Sequence, residues 1–268
     1  MTEESRVKLI DTHIHLVSPK YTDLSGLISR AKSNGVIAVI ATGTGPDVNK
    51  NTLALRERFK NFIHCAIGLH PESPNYLSKD YVSKVIQSII KWRHRIVAVG
   101  EIGLPYYSIK DSQYFDREIE KASSSLKAFL VLAEKEKLPV ILHAPHKSAE
   151  KALQLLRDCN IEKAVFHWHK SPLETTRKIV ENGFYISVTP EIVYEERDRK
   201  LVENVPLSNL LLETDGPWPY ENEFSGKLTE PHFVKRIAEE IAKIKGASIT
   251  DVAEKTTNNA AKLFSIKI

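Results

Sequence analysis

The stretch Val7-Lys8-Leu9-Ile10-Asp11-Thr12-His13-Ile14-His15 is an apolar run that turns polar at its end. The same design recurs in Ile96-Val97-Ala98-Val99-Gly100-Glu101, Val140-Ile141-Leu142-His143, Ala164-Val165-Phe166-His167 and Leu210-Leu211-Leu212-Glu213-Thr214-Asp215. Continuous apolar runs mark strands covered on both faces, the habit of parallel sheets. Strands are expected at 7–11, 36–41, 62–68, 96–100, 140–143, 164–167, 184–187 and 210–214. Helical spacing fills the gaps at 24–33, 47–59, 79–92, 113–137, 148–158, 173–181 and 195–203, and returns at 231–245 and 249–264. Proline near helix starts (Pro172, Pro231) and glycine at helix ends (Gly35, Gly183, Gly246) fit this division. Eight strand–helix units in 268 residues are the arithmetic of an α/β fold of the (β/α)8 TIM-barrel type. A doubly wound open sheet also alternates strand and helix, but no Gly-rich phosphate turn follows the first strand. With no linker, low-complexity stretch or longer repeat, one domain over 1–268 is the simplest organisation.

Composition narrows the class. Apolar residues make up 42% and charged residues 27%, ordinary for a soluble globular chain and against wholesale disorder. The net charge of +4 is compatible with an anionic substrate and too weak to identify a nucleic-acid protein. Two distant cysteines, Cys65 and Cys159, can make neither a disulfide framework nor a thiolate metal site. The start, Met1 to Arg6, carries acidic residues and no apolar core, so no signal peptide is expected. The longest apolar run, Val36 to Ala41, falls far short of the roughly 18 residues of a membrane span. A cytoplasmic location, no membrane partner and a monomer are the expectations.

Of the ten histidines, seven fall at or just past an expected strand end. In a barrel those ends build the active site. His13 and His15, two apart on an extended segment, point the same way. Glu101, His143, His167 and Asp215 come to the same mouth from four other strands. Any one of them has a bland explanation: a lone strand histidine is more often a hydrogen-bonding core residue, and Glu101 alone could be an ion-pair partner. Jointly, six nitrogen and oxygen donors suit two divalent ions (Mg²⁺, Mn²⁺ or Zn²⁺), with the imidazoles favouring Zn²⁺ or Mn²⁺. The converging carboxylates would repel one another without cations between them. His70 and Lys147 are candidate substrate contacts, with His146 and His169 beside them. Trp168, Trp218, Tyr106 and Tyr107 rim the mouth, where they either pack or stack bases.

These words together resemble the TatD-related metal-dependent hydrolases, within the amidohydrolase-like barrels. The resemblance rests on Asp11-Thr12-His13-Ile14-His15, Gly68-Leu69-His70-Pro71, Gly100-Glu101-Ile102-Gly103-Leu104, Leu138 to His143, Leu211 to Asp215 and Thr257 to Phe264, in family order along the whole chain. It implies a dinuclear centre with His13, His15 and Asp215 on one ion, His143 and His167 on the other, and Glu101 between. It implies a deoxyribonuclease, often a 3′→5′ exonuclease, with DNA or RNA ends as substrate and Asp215 as general base. The alternative is hydrolysis of an ester, amide or lactone, including D-aminoacyl-tRNA deacylation, with the same ligands. Pro105, Ala144-Pro145-His146 and Trp168-His169 depart from the family pattern beside the expected metals. They put the substrate in doubt more than the centre.

Overall fold

A computed structural model describes residues 7–268; the Met1–Arg6 segment read above lies outside the described residues. Eight strands, β1 (Leu9–Ile14), β2 (Val36–Thr42), β3 (Ile63–Ile67), β4 (Ala98–Gly103), β5 (Val140–His143), β6 (Ala164–Phe166), β7 (Tyr185–Val188) and β8 (Leu210–Leu212), form one sheet in sequence order, every neighbour parallel. Between them run α1 (Leu24–Ser33), α2 (Pro46–Arg58), α3 (Lys79–Trp92), α4 (Phe115–Glu136), α5 (Ser148–Asp158), α6 (Leu173–Glu181) and α7 (Glu196–Asn204), with α8 (Phe233–Lys245) and α9 (Ile249–Phe264) after β8. Asp23 and Ser78 cap α1 and α3 by accepting from Gly26 and Tyr81 backbone N–H groups. Gly246 ends α8 in the left-handed conformation.

The core has two layers. The larger packs helices against the outward strand side chains. The smaller fills the barrel with Ile10, Ala38, Ile40, Ala66, Ala98, Ile141, Val165 and Leu211, and Ala260, Leu263 and Phe264 of α9 with Ile266 complete it. Alternation from those inward positions aims the next polar residues. Ile141 is followed two residues later by His143, Val165 by His167, and Leu211 by Glu213 and Asp215.

On β1 and β4 simple alternation gives the wrong side, because His13 is three residues after inward Ile10 and Glu101 three after inward Ala98. Both strands carry a correction. Between Asp11 and Ile14, three steps on β1 match two on β2 (Val39 to Ala41). Between Val99 and Ile102, three steps on β4 match two on β5 (Val140 to Leu142). Each strand thus holds one extra residue just where a side chain must be re-aimed inward.

The barrel closes between β1 and β8 without a full ladder. The Asp215 N–H donates to the His13 carbonyl at 2.9 Å, His15 N–H to the Gly216 carbonyl at 2.8 Å, and the Thr12 hydroxyl to the Leu212 carbonyl at 2.9 Å. Buried Asp11 accepts from the backbone N–H of Thr214 at 2.9 Å and from its hydroxyl at 2.5 Å. The seam that ties the sheet shut therefore also sets His13, His15 and Asp215.

Helices at 24–33, 79–92, 148–158, 173–181 and 249–264 coincide with expectation. The strand ends differ. Expected β1 and β4 stop at 11 and 100, whereas the strands run on through His13 and Glu101. A buried polar residue reads as the end of an apolar run, although the backbone stays extended. Conversely β6 and β8 end at Phe166 and Leu212, before the polar residues that follow.

Replacing Asp11 by Ala strands the Thr214 N–H in the interior, at an expected cost of about 1–3 kcal/mol. Asp11→Asn keeps an acceptor for it. Burial, working against the bonds from Thr214, pushes the Asp11 carboxyl up from 3.8 to about 8. The folded chain thus keeps a proton that the unfolded chain releases near pH 4, so stability falls as pH climbs between these values. Denaturant titrations in the presence of a chelator should show that slope flattened by Asp11→Asn. Equal slopes in both proteins would mean that Asp11 does not titrate there.

Candidate metal centre

At the C-terminal mouth of the barrel, Glu101 is 1% exposed and its two carboxylate oxygens serve two different sets of rings. Oε2 lies 3.4 Å from His13 Nε2 and 3.6 Å from His15 Nε2. Asp215 Oδ1 completes that group at 3.4 and 3.3 Å from the same nitrogens. Oε1 lies 2.9 Å from His143 Nδ1, 2.8 Å from His167 Nε2 and 3.1 Å from His70 Nε2. Within each set the rings face each other nitrogen to nitrogen: His13 and His15 Nε2 at 3.2 Å, His143 Nδ1 and His167 Nε2 at 3.2 Å.

Groups stand behind the outer nitrogens of His15, His167 and His143, and the one behind His15 makes a hydrogen bond. His15 Nδ1–H donates to the Thr42 carbonyl at 3.1 Å, so that the ring, when neutral, turns the lone pair of Nε2 toward the centre. Glu213 stands 3.5 Å from His167 Nδ1, and Glu72 stands 3.8 Å from His143 Nε2. His70 differs. Its Nδ1 accepts the Glu72 N–H at 3.1 Å, so the neutral ring carries its proton on Nε2 and donates to Glu101. It reaches the centre as a donor.

The electrostatics ask for positive charge. Burial alone would raise Glu101, yet the His70, His167 and His13 rings hold it well below the usual carboxylate range. Asp215 is likewise buried and likewise pulled down, by His15 and His13. Burial disfavours charge on His15, but Asp215 and Glu101 outweigh it and lift the ring to about 9. His167 also ends raised, because Glu101 overcomes its burial. His13 goes the other way, pushed down by burial and by His167. The rings compete for too few protons while Glu101 Oε2 and Asp215 Oδ1 remain buried with no hydrogen-bond donor.

Divalent ions fit this donor set. Zinc at roughly 2.0–2.1 Å from four donors sets tetrahedral edges of about 3.3 Å, and an octahedral ion at similar range sets edges of about 3.0 Å. The observed separations are 3.2–3.6 Å around Glu101 Oε2 and 2.8–3.2 Å among Oε1, His143 and His167. Among the described residues, the triads His13/His167/Asp215, His13/His15/Glu101 and His70/Glu101/His143 each have donor atoms within 4.8 Å of one another.

All six expected ligands are thus brought together, and His70 joins them at the edge. Lys147 is a correction: it sits at the N-cap of α5 with Nζ 3.5 Å from the centroid of the Phe115 ring. Its side chain lies on Phe115, the first residue of α4, and does not line the cavity above the centre. His169 is also outside the centre, buried and hydrogen-bonded to Thr176, and burial pushes it down to about 3. His146 packs against Tyr106 at 4.5 Å between centroids. Glu72 and Glu213 were missed. Glu213 stands two before Asp215 on the same strand end, a signal that was readable. Glu72 is set by its loop, where it accepts from the backbone N–H groups of Tyr106, Tyr107 and Ser108.

Above the centre opens a cavity of about 620 Å³. Its floor is His15, His70, Glu101, His143, His167 and Asp215; Tyr107, Trp168 and Trp218 stand on its walls with Pro145, Pro217 and Pro219. Two lysines reach it. Lys170 is engaged, with Nζ 3.2 Å from Glu191 Oε2 and 3.9 Å from the Trp168 ring centroid. Lys20 has no ion-pair partner among the described residues. No helix among the described residues is long and apolar enough to cross a membrane.

Comparison with known proteins gives the same shape and the same chemistry in the relatives' names. The family model described as TatD related DNase matches residues 10–265. A metal-dependent hydrolase of Methanocaldococcus jannaschii is 30% identical, covering 98% of this chain and 99% of its own. Human deoxyribonuclease TATDN3 is 29% identical over 96% of this chain and 95% of its own. The crystal structure of YJJV, a TatD homolog from Escherichia coli, superposes with a TM-score of 0.86 at 28% identity, covering 97% of this chain and 98% of that one.

If the donor set takes ions, chelated protein should gain stability from them. At a hundredfold excess over the dissociation constant the gain is about 2.7 kcal/mol, or roughly 5–10 °C in Tm for a chain of this size. Thermal melts with added Zn²⁺ or Mn²⁺ check this, beside Glu101→Ala, which should lose most of the rise. A wild-type Tm indifferent to both metals would rule out the fit.

Proposed function

The chain belongs to the TatD-related DNase family of metal-dependent hydrolases, and we propose that it cleaves phosphodiester bonds at the ends of DNA. The observation that carries the reading is the division of Glu101 between two buried sets of histidines at the floor of an open cavity. Two divalent ions are proposed there, His13, His15 and Asp215 holding one, His143 and His167 the other, with Glu101 shared. Such ions lower the pKa of water toward neutrality and offset charge on a phosphate.

The chain's own residues do the rest. Asp215 is the general base: its carboxylate is kept ionised by His15 and His13, and it lines the cavity floor. Glu101 holds the two histidine sets in fixed relation, so the attacking water and the phosphate meet in one orientation. His70 lines the cavity, and its one ring proton, on Nε2, is given to Glu101, so it positions that carboxylate from the cavity side. Lys20, with no ion-pair partner among the described residues, lines the cavity and replaces Lys147 as the proposed cation for a neighbouring phosphate. The departures from the family pattern sit on the walls. Pro105 is buried at the base of a loop that Glu72 fastens, and Pro145 and Trp168 face the cavity. They alter the shape around the substrate and leave the donor set intact.

The test is digestion of 5′-labelled single-stranded and 3′-recessed DNA by metal-stripped protein with Mg²⁺, Mn²⁺ or Zn²⁺ restored. A ladder shortening from the 3′ end is expected, and Asp215→Asn should stay folded and lose at least about a hundredfold in turnover. Near wild-type rates in that variant would remove Asp215 as base. No cleavage with any metal, from protein that binds ions, would transfer the reading to an ester, amide or aminoacyl-tRNA bond.

A further inference from the structure

Trp168 and Trp218 meet edge to face on one wall of the cavity, with ring centroids 5.2 Å apart at 76°. Trp168 is braced on every side. Its Nε1–H donates to Glu191 Oε2 at 2.9 Å, its backbone N–H donates to Glu213 Oε1 at 2.6 Å, Lys170 lies over its ring, and Tyr220 packs 5.8 Å away. Trp218 is held by that edge contact and is 53% exposed. Tyr107, 47% exposed, stands beside His143 with ring centroids 6.0 Å apart. Three prolines stiffen the same walls.

Large aromatic rings left open to solvent, next to a polar floor, are what a planar ligand needs. The charges on the Trp168 wall are already satisfied: Glu191 takes Lys170 and Arg197 as well as the indole N–H. Recognition there is by face, not by charge. The phosphate-seeking groups lie below, at the floor, and at the Lys20 rim.

We propose that the exposed face of Trp218, positioned by Trp168, stacks the base of the nucleotide at the end being cleaved, with Tyr107 alongside the same cavity. This rests on the phosphodiester reading and narrows it: an end whose terminal base is unpaired is the preferred substrate over a recessed, paired end, because a base within a duplex is stacked and paired and must first be extruded. Stacking of this kind tolerates any base, since each has a π-face.

The first arm uses metal-free protein and indole fluorescence, with thymidine 5′-monophosphate and the baseless sugar deoxyribose 5-phosphate as probes. The nucleotide should quench and the sugar phosphate should not. Trp218→Ala should weaken nucleotide binding roughly 5- to 150-fold, and Trp218→Phe should keep most of it, with melting curves confirming that both variants fold. The second arm uses metal-loaded protein and single strands ending in a normal or an abasic nucleotide. Trp218→Ala should raise KM for the normal end and leave the abasic end unchanged. Equal affinity for nucleotide and sugar phosphate, or a folded Trp218→Ala with unaltered binding and KM, would overturn the proposal. Nucleotide-selective quenching in a protein that cleaves neither strand would sustain the stacking and sink the phosphodiester reading instead.

Discussion

One buried carboxylate governs this molecule. Glu101 is almost wholly shielded from solvent, and its two oxygens face different histidines. An ionised group in that position is costly unless positive charge surrounds it. Protons on the rings supply some, unevenly: His15 and His167 go up, His13 goes down. The two divalent cations proposed above would supply it on both sides, beside the Glu101 Oε2 and Asp215 Oδ1 atoms that have no donor. The same requirement explains the second row of residues. Thr42 fixes the rear nitrogen of His15 by a hydrogen bond, and Glu213 and Glu72 set carboxylates behind His167 and His143 at 3.5 and 3.8 Å.

The barrel serves that carboxylate through two local irregularities. Alternation along β5 and just past β6 delivers His143 and His167, while Asp215 lies beyond the end of β8 and is set by the seam with β1. Strands β1 and β4 need one inserted residue each to deliver His13 and Glu101. The seam at Asp11, Thr12 and Thr214 then joins first strand to last, so closing the barrel and aligning the centre are one event.

Much of this was legible in the residues. The strand–helix rhythm follows from apolar runs and helix punctuation, and five helices match to the residue. The six donors stood out because polar residues at the ends of buried strands have few other reasons to be there. The inserted residues on β1 and β4 were not legible, since one extra residue leaves no mark on composition. Lys147 was misplaced for a related reason. Sequence puts it next to a strand end, while the start of α5 turns its side chain onto Phe115. Glu72 escaped because its role depends on the 106–108 loop coming back across the mouth, a contact 34 to 36 residues away in sequence.

Crystals soaked in Mn²⁺ or Zn²⁺ and measured at the metal's absorption edge test the shared role of Glu101 most directly. Two anomalous peaks are expected, one against Glu101 Oε2 with His13, His15 and Asp215, the other against Oε1 with His143 and His167, roughly 3.5–4 Å apart. A single peak, or a pair not bridged by Glu101, would contradict the dinuclear centre from which the catalytic roles were derived.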